Sequence, residues 1–86
     1  VPESVLEAPE HKAHALKMAR QSIVLLKNET STLPLSKTVR KIAVLGPNAD
    51  NAIAVLGNYN GVPSKIVTAL EGIRSKVGSG VEVVYE

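Results

Sequence analysis

The sequence predicts an α/β fold: a partial α/β/α sandwich in which a βαβ parallel unit is preceded by an amphipathic helix and a short hairpin. Three observations carry this expectation. Apolar residues recur at helical spacing after Pro9. A compact apolar run, Lys41-Ile42-Ala43-Val44-Leu45, ends in Gly46-Pro47-Asn48, and a run buried on both faces without alternation is how a parallel strand reads. A second helical period begins near Thr68, stops at glycines and gives way to alternation over Val81–Tyr85.

Pro9 with Glu10 opens the first helix. Proline loses nothing where the N–H has no partner, and an acidic group suits the positive end of the dipole. The helix is expected from Pro9 to Ser22, with Ala13, Leu16, Ala19 and Ile23 on one stripe and His14, Lys17 and Gln21 on a wetter face. Such a helix docks on something. Ile23–Leu26 either extends it or forms a short buried strand, and its β-branched start favours the strand. The polar run Asn28–Thr32 then turns the chain, so that Leu25–Leu35 forms a small hairpin with Pro34 on an edge.

After the Lys41–Leu45 strand, Asp50–Leu56 reads as a short helix. The following loop, Gly57–Ser64, is rich in turn-forming residues and lies where loops carry sites. Thr68 caps a helix of about ten residues whose Leu70, Ile73 and Val77 share a face, and Gly78 to Gly80 end it. Val81, Val83 and Tyr85 then share one side of a second strand. Strand, helix, strand with tight loops makes a right-handed parallel crossover. A two-stranded parallel sheet leaves its edges and a face uncovered, so further strands are expected beyond Glu86.

The 86 residues amount to one small domain or part of one, read here as part of a single domain with no internal boundary. The balance of 44% hydrophobic and 21% charged residues argues for a fold rather than disorder. Without Phe, Trp or Cys, the core rests on Val, Leu, Ile and Ala, and a disulfide scaffold, a thiol nucleophile and thiolate metal sites are excluded. The net charge of +2 comes from Lys37, Arg40 and Lys41, a short cluster at a strand entrance; nucleic-acid binding would need a broader basic face with interleaved aromatics. No apolar run approaches the length of a membrane span. The first residue is Val1 and not Met, so the ends read as cut and a signal segment could precede them.

Few residues carry chemistry. Gly46-Pro47-Asn48-Ala49-Asp50 follows a strand but lacks both the Gly-Lys-Ser/Thr of a P-loop and a Gly-x-Gly-x-x-Gly series. His11 and His14 share a helix face without a third ligand at metal spacing, which reads as surface histidines; no metal or other cofactor is expected. Asp50, past the strand's carboxyl end, reads as a helix cap. The candidate substrate-binding residues are Asn58, Tyr59 and Asn60, between Gly57 and Gly61. Sugars are bound by such a combination, since the apolar ring face stacks and hydroxyls meet amides, whereas a loop tyrosine packing back on its own domain is the plainer alternative.

Several ordered blocks resemble glycoside hydrolase family 3: Ala19-Arg20-Gln21-Ser22-Ile23-Val24-Leu25-Leu26-Lys27-Asn28, then Leu33-Pro34-Leu35, then Lys41 to Asp50, then Leu56 to Gly61, then Thr68 to Ile73. They are similar to the opening of that family's second, α/β-sandwich domain, which follows a (β/α)₈-type barrel. The Asn-Tyr-Asn-Gly version is similar to bacterial β-glucosidase and β-xylosidase-like members. The resemblance implies retaining exo-hydrolysis of β-linked glucosides or xylosides by two carboxyl groups ~5 to 5.5 Å apart. It places the nucleophilic Asp in the barrel and the acid/base Glu elsewhere, commonly later in the second domain. Asp50, Glu71 and Glu82 do not match those motifs, so no catalytic residue is assigned here. The implied partners are the barrel domain of the same enzyme and a β-linked oligosaccharide or glycoside, with no nucleic acid; a periplasmic or secreted location comes from the family alone. In some members the loop after the first strand offers an aromatic to the leaving-group side, and Tyr59 stands about there, with Asn-Tyr in place of Gly-Trp. Two alternatives stand beside this reading. One is a stand-alone α/β binding or interaction module with an anion site at the loop after Leu45; the other is a catalytic partner domain supplied by another chain.

Overall fold

The structure is a computed structural model and describes residues 2–86. It contains two helices and a two-stranded parallel sheet, a small α/β arrangement, and divides into two compact units, Val1–Pro34 and Leu35–Glu86.

In the first unit a 3₁₀ turn at Glu3–Val5 leads into helix α1, Pro9–Ser22, whose bounds are those expected from Pro9 and the apolar period. Pro9 occupies the first turn, with Glu10 beside it and Arg20 in the last turn, so both charges complement the helix dipole. No residue of α1 is buried; Leu16 and Met18 are each half exposed.

The expected strand over Ile23–Leu26 and the hairpin over Leu25–Leu35 do not form: this stretch holds no strand residue. The reason is local. A ladder needs backbone donors and acceptors on both sides, but Pro34 has no N–H and the Asn28 side chain takes both polar groups of Leu33. Asn28 Nδ2 donates to Leu33 O at 2.8 Å, and Leu33 N–H donates to Asn28 Oδ1 at 3.0 Å. A turn closed by Ser31 N–H donating to Asn28 O, with Ser31 at φ 50°, brings the two residues together. The peptide bond between Leu33 and Pro34 is cis. Ile23, Val24, Leu25 and Leu26 carry no regular secondary structure and remain 58–91% exposed.

In the second unit strands β1, Lys41–Val44, and β2, Glu82–Tyr85, pair in parallel with Lys41 opposite Glu82 and Val44 opposite Tyr85. The Lys41 and Glu82 side chains bridge at 3.0 Å on the exposed face. Helix α2, Ala69–Val77, covers the other face. Leu70, 2% exposed, meets Val44 and Ala49, and Ile42, Ile73 and Val83 pack around them. One correction concerns β1, which alternates rather than being buried on both faces: Ile42 and Val44 turn toward this cluster while Lys41 and Ala43 are exposed.

A second correction concerns Asp50–Leu56, which does not form a helix but holds only a 3₁₀ turn at Ile53–Val55. Its start is capped by Asn51, whose Oδ1 accepts from the N–H groups of Ile53 and Ala54, so Asp50 is not the cap. Two glycines end elements where a side chain would be strained. Gly46 leaves β1 at φ 111°, and Gly78 stops α2 at φ 74° and ψ −178°, a combination essentially reserved for glycine.

Candidate functional site

The loop at 57–64 contains the three residues singled out for sugar binding, and the structure brings them together as one exposed turn. Tyr59 sits at its apex with φ 52°, a left-handed backbone unusual for an aromatic residue, and its side chain has no shelter at all. The ring therefore does not pack back on its own unit. Asn60 reaches across the turn, its Nδ2 donating to Gly57 O at 2.9 Å, which leaves Oδ1 and the second N–H for other partners. Asn58 is exposed on the other side of Tyr59. An aromatic face flanked by two carboxamides has the chemistry to stack on an apolar ring face and to hydrogen-bond hydroxyls at its edges.

The backbone N–H groups of the loop after β1 are partly spent inside the chain. Gly46 N–H donates to Glu86 O at 3.0 Å, Ala49 N–H donates to Gly46 O at 3.1 Å, and Pro47 has no N–H to give. Asp50 adds negative charge beside it, and its Oδ1 accepts from Thr68 Oγ1 at 2.7 Å. Thr68 in turn accepts from Glu71 N–H at 3.2 Å and caps α2 as expected. A backbone link runs parallel to this one, with Leu70 N–H donating to Ala49 O at 2.9 Å. The Gly46–Asp50 turn is thus a brace between β1 and α2.

His11 donates Nδ1–H to Val5 O at 3.0 Å, and among the described residues no three His, Asp or Glu side chains converge as metal ligands. Among the described residues no helix is long and apolar enough to cross a membrane.

Sequence reasoning missed a groove of about 630 Å³ between the entrance of β1 and the end of α2, lined by Leu35, Val39, Ile42, Val77 and Val81 with Lys37 and Lys76 at its edge. No local motif signals it, because its walls come from three separated segments. The Asp50–Thr68 bond was also missed, although Thr68 with Glu71 three positions on is a recognisable helix-start pattern.

Comparison with known proteins places this architecture. Residues 23–83 match the glycosyl hydrolase family 3 C-terminal domain, and the chain belongs to that family. Among its relatives, a xylan 1,4-beta-xylosidase of Xylanibacter ruminicola is 47% identical over 76 residues, covering 88% of this chain and 9% of the relative. The probable beta-D-xylosidase 7 of Arabidopsis thaliana is 51% identical over 75 residues, covering 86% and 10%. The periplasmic beta-glucosidase of Salmonella typhimurium is 46% identical over 77 residues, covering 87% and 10%. The chain therefore spans about a tenth of the length of these curated relatives. No solved structure matches it at a significant level.

Proposed function

We propose that the chain is the opening part of the α/β-sandwich domain of a retaining, exo-acting β-glycosidase that hydrolyses β-glucosides or β-xylosides. In that enzyme it braces the barrel domain and walls one side of the sugar cleft through Asn58, Tyr59 and Asn60. The observation that carries the cleft-wall role is the Tyr59 ring, fully exposed on a left-handed backbone at the tip of its loop. Backbone strain that holds a side chain away from its own core fits a contact made elsewhere. The bracing role is supported by α1, which has no buried residue, and by the exposed apolar run Ile23–Leu26, surfaces suited to cover by the remainder of a larger protein.

The relatives' names divide between xylosidase and glucosidase, and the substrate class is proposed at that breadth. That the whole chain is part of one domain is supported by the family match, which runs across the division between the two compact units. The catalytic carboxyl pair lies outside this chain in this proposal, because none of its acidic residues stands in a matching motif.

The test compares three proteins on chromogenic β-glucoside and β-xyloside: the 86-residue chain, the full-length enzyme that carries it, and that enzyme's barrel domain alone. Turnover by the full-length enzyme only is the expected result. Turnover by the short chain that survives repurification would overturn the assignment of the catalytic pair elsewhere, and full turnover by the barrel alone would remove the bracing role.

A further inference from the structure

The same loop holds a covalent liability that is independent of whether it binds sugar. Asn60 is followed by Gly61, and both are exposed in a loop with no regular secondary structure. Gly61 carries no side chain to shield its own nitrogen, and a Cβ placed on it would meet nothing within 4 Å. Tyr59, next to Asn60, has a left-handed backbone at φ 52°. We propose that Asn60–Gly61 is a site of spontaneous succinimide formation, at which this chain converts a neutral carboxamide into aspartate or isoaspartate.

The step balances without an oxidant or a cofactor. The Gly61 backbone nitrogen attacks Asn60 Cγ, a C–N bond forms as the Cγ–Nδ2 bond breaks, and the Gly61 N–H proton leaves with the amide nitrogen as ammonia. Water then opens the five-membered ring. Cleavage at the side-chain carbonyl returns aspartate, and cleavage at the backbone carbonyl returns isoaspartate with an added methylene in the main chain. Hydroxide assists by removing the Gly61 N–H proton, so the rate rises with pH.

The other four asparagines each precede a residue with a side chain, and two of them are also held by hydrogen bonds. Asn28 is held at both ends by Leu33 and precedes Glu29. Asn51 spends Oδ1 on Ile53 and Ala54 and precedes Ala52, while Asn48 and Asn58 precede Ala49 and Tyr59. Each following residue has a Cβ that crowds the attacking nitrogen. Asn60 alone precedes a glycine, and its Nδ2 bond to Gly57 O does not engage Cγ. Conversion removes this donor, since a carboxylate only accepts, and places a negative charge beside Tyr59.

The experiment ages the full-length enzyme at mildly alkaline pH and follows each asparagine by peptide mapping. The expected result is that, among the asparagines of this chain, conversion localises by fragmentation to Asn60, resolving into two chromatographic forms, one of which accepts methyl from an isoaspartyl methyltransferase. Gly61→Ala should slow it several-fold. That variant is sterically open and needs no positive φ, so it keeps the fold, as circular dichroism would check. Conversion appearing first at Asn28, Asn48, Asn51 or Asn58 would overturn the proposal. So would an unchanged Asn60 after prolonged ageing, or a Gly61→Ala rate equal to that of the parent.

Discussion

Thr68 Oγ1 donates to Asp50 Oδ1 at 2.7 Å while accepting from Glu71 N–H at 3.2 Å, so one hydroxyl both caps α2 and ties it to the turn that follows β1. Thr68 is nearly buried and Asp50 is exposed, which sets the magnitudes. Loss of an N-cap costs about 1 kcal/mol. The bond to a carboxylate adds something near the lower end of ~1.5–3 kcal/mol, because water competes for Asp50. Thr68→Val keeps the shape and loses both bonds, and it should lower stability by about 2 kcal/mol. Thr68→Ser should retain most of it. A double-mutant cycle with Asp50→Ala, read from urea midpoints, should give a coupling of about 1 kcal/mol; additivity would mean that the two side chains act independently.

The core of the second unit is small enough for a single side chain to dominate it. Leu70 is 2% exposed and touches both strand and turn through Val44 and Ala49. Leu70→Ala should cost about 3 kcal/mol, the transfer term plus an unfilled cavity. Leu70→Met should cost less than about 1.5 kcal/mol. Thermal melts of the two variants that proved equal would show that this cluster does not hold the unit together.

The expectations that held rest on local chemistry. Pro9 at a helix start, Thr68 ahead of an apolar period and Gly78 behind it each act within one turn, and the element bounds followed from them. What escaped depends on groups meeting across a turn. Ile23–Leu26 has strand composition, but a strand is a pairing, and nothing in those residues announces that Asn28 will occupy Leu33 first. Asp50 and Asn51 are both good caps; Asn51 serves Ile53–Val55, whereas Asp50 accepts from Thr68, a contact 18 positions away in sequence. The candidate sugar-binding triplet was legible in part: its composition named the residues, whereas the reach of Asn60 across its turn and the left-handed Tyr59 were visible only in the structure.

Asn28 offers a direct test of why the hairpin does not form. Asn28→Asp keeps the acceptor for Leu33 N–H and loses the donor to Leu33 O, while Asn28→Ala loses both. Amide exchange at Leu33 should quicken strongly in the alanine variant and little in the aspartate one. Equal protection in all three proteins would mean that the side-chain clamp does not order this turn.

The run Ile23–Leu26 exposes four large apolar side chains in sequence, with Leu26 91% exposed. A contiguous patch of this kind promotes association when nothing covers it. The isolated chain should self-associate in sedimentation experiments, and the pair Ile23→Lys with Leu26→Lys should shift it toward monomer. The exposed edges of β1 and β2 are the competing source. Persistence of association in the double variant would move the cause to the strands.

Tyr59 separates stability from function most clearly. Its left-handed backbone costs about 1 kcal/mol for a residue with a Cβ. Glycine would relieve that strain but lose roughly 0.5–1 kcal/mol more conformational entropy on folding. The two effects nearly cancel, and the exposed ring contributes no packing, so Tyr59→Gly should leave the unfolding midpoint almost unchanged. If the ring lines the cleft, the same substitution in the full-length enzyme should raise KM for oligosaccharides several-fold. Tyr59→Trp should preserve KM, and a monosaccharide glycoside with a small leaving group should be least affected. An unchanged KM for Tyr59→Gly across all substrates would remove Tyr59 from the cleft, and with it the reason for holding an aromatic residue in that conformation.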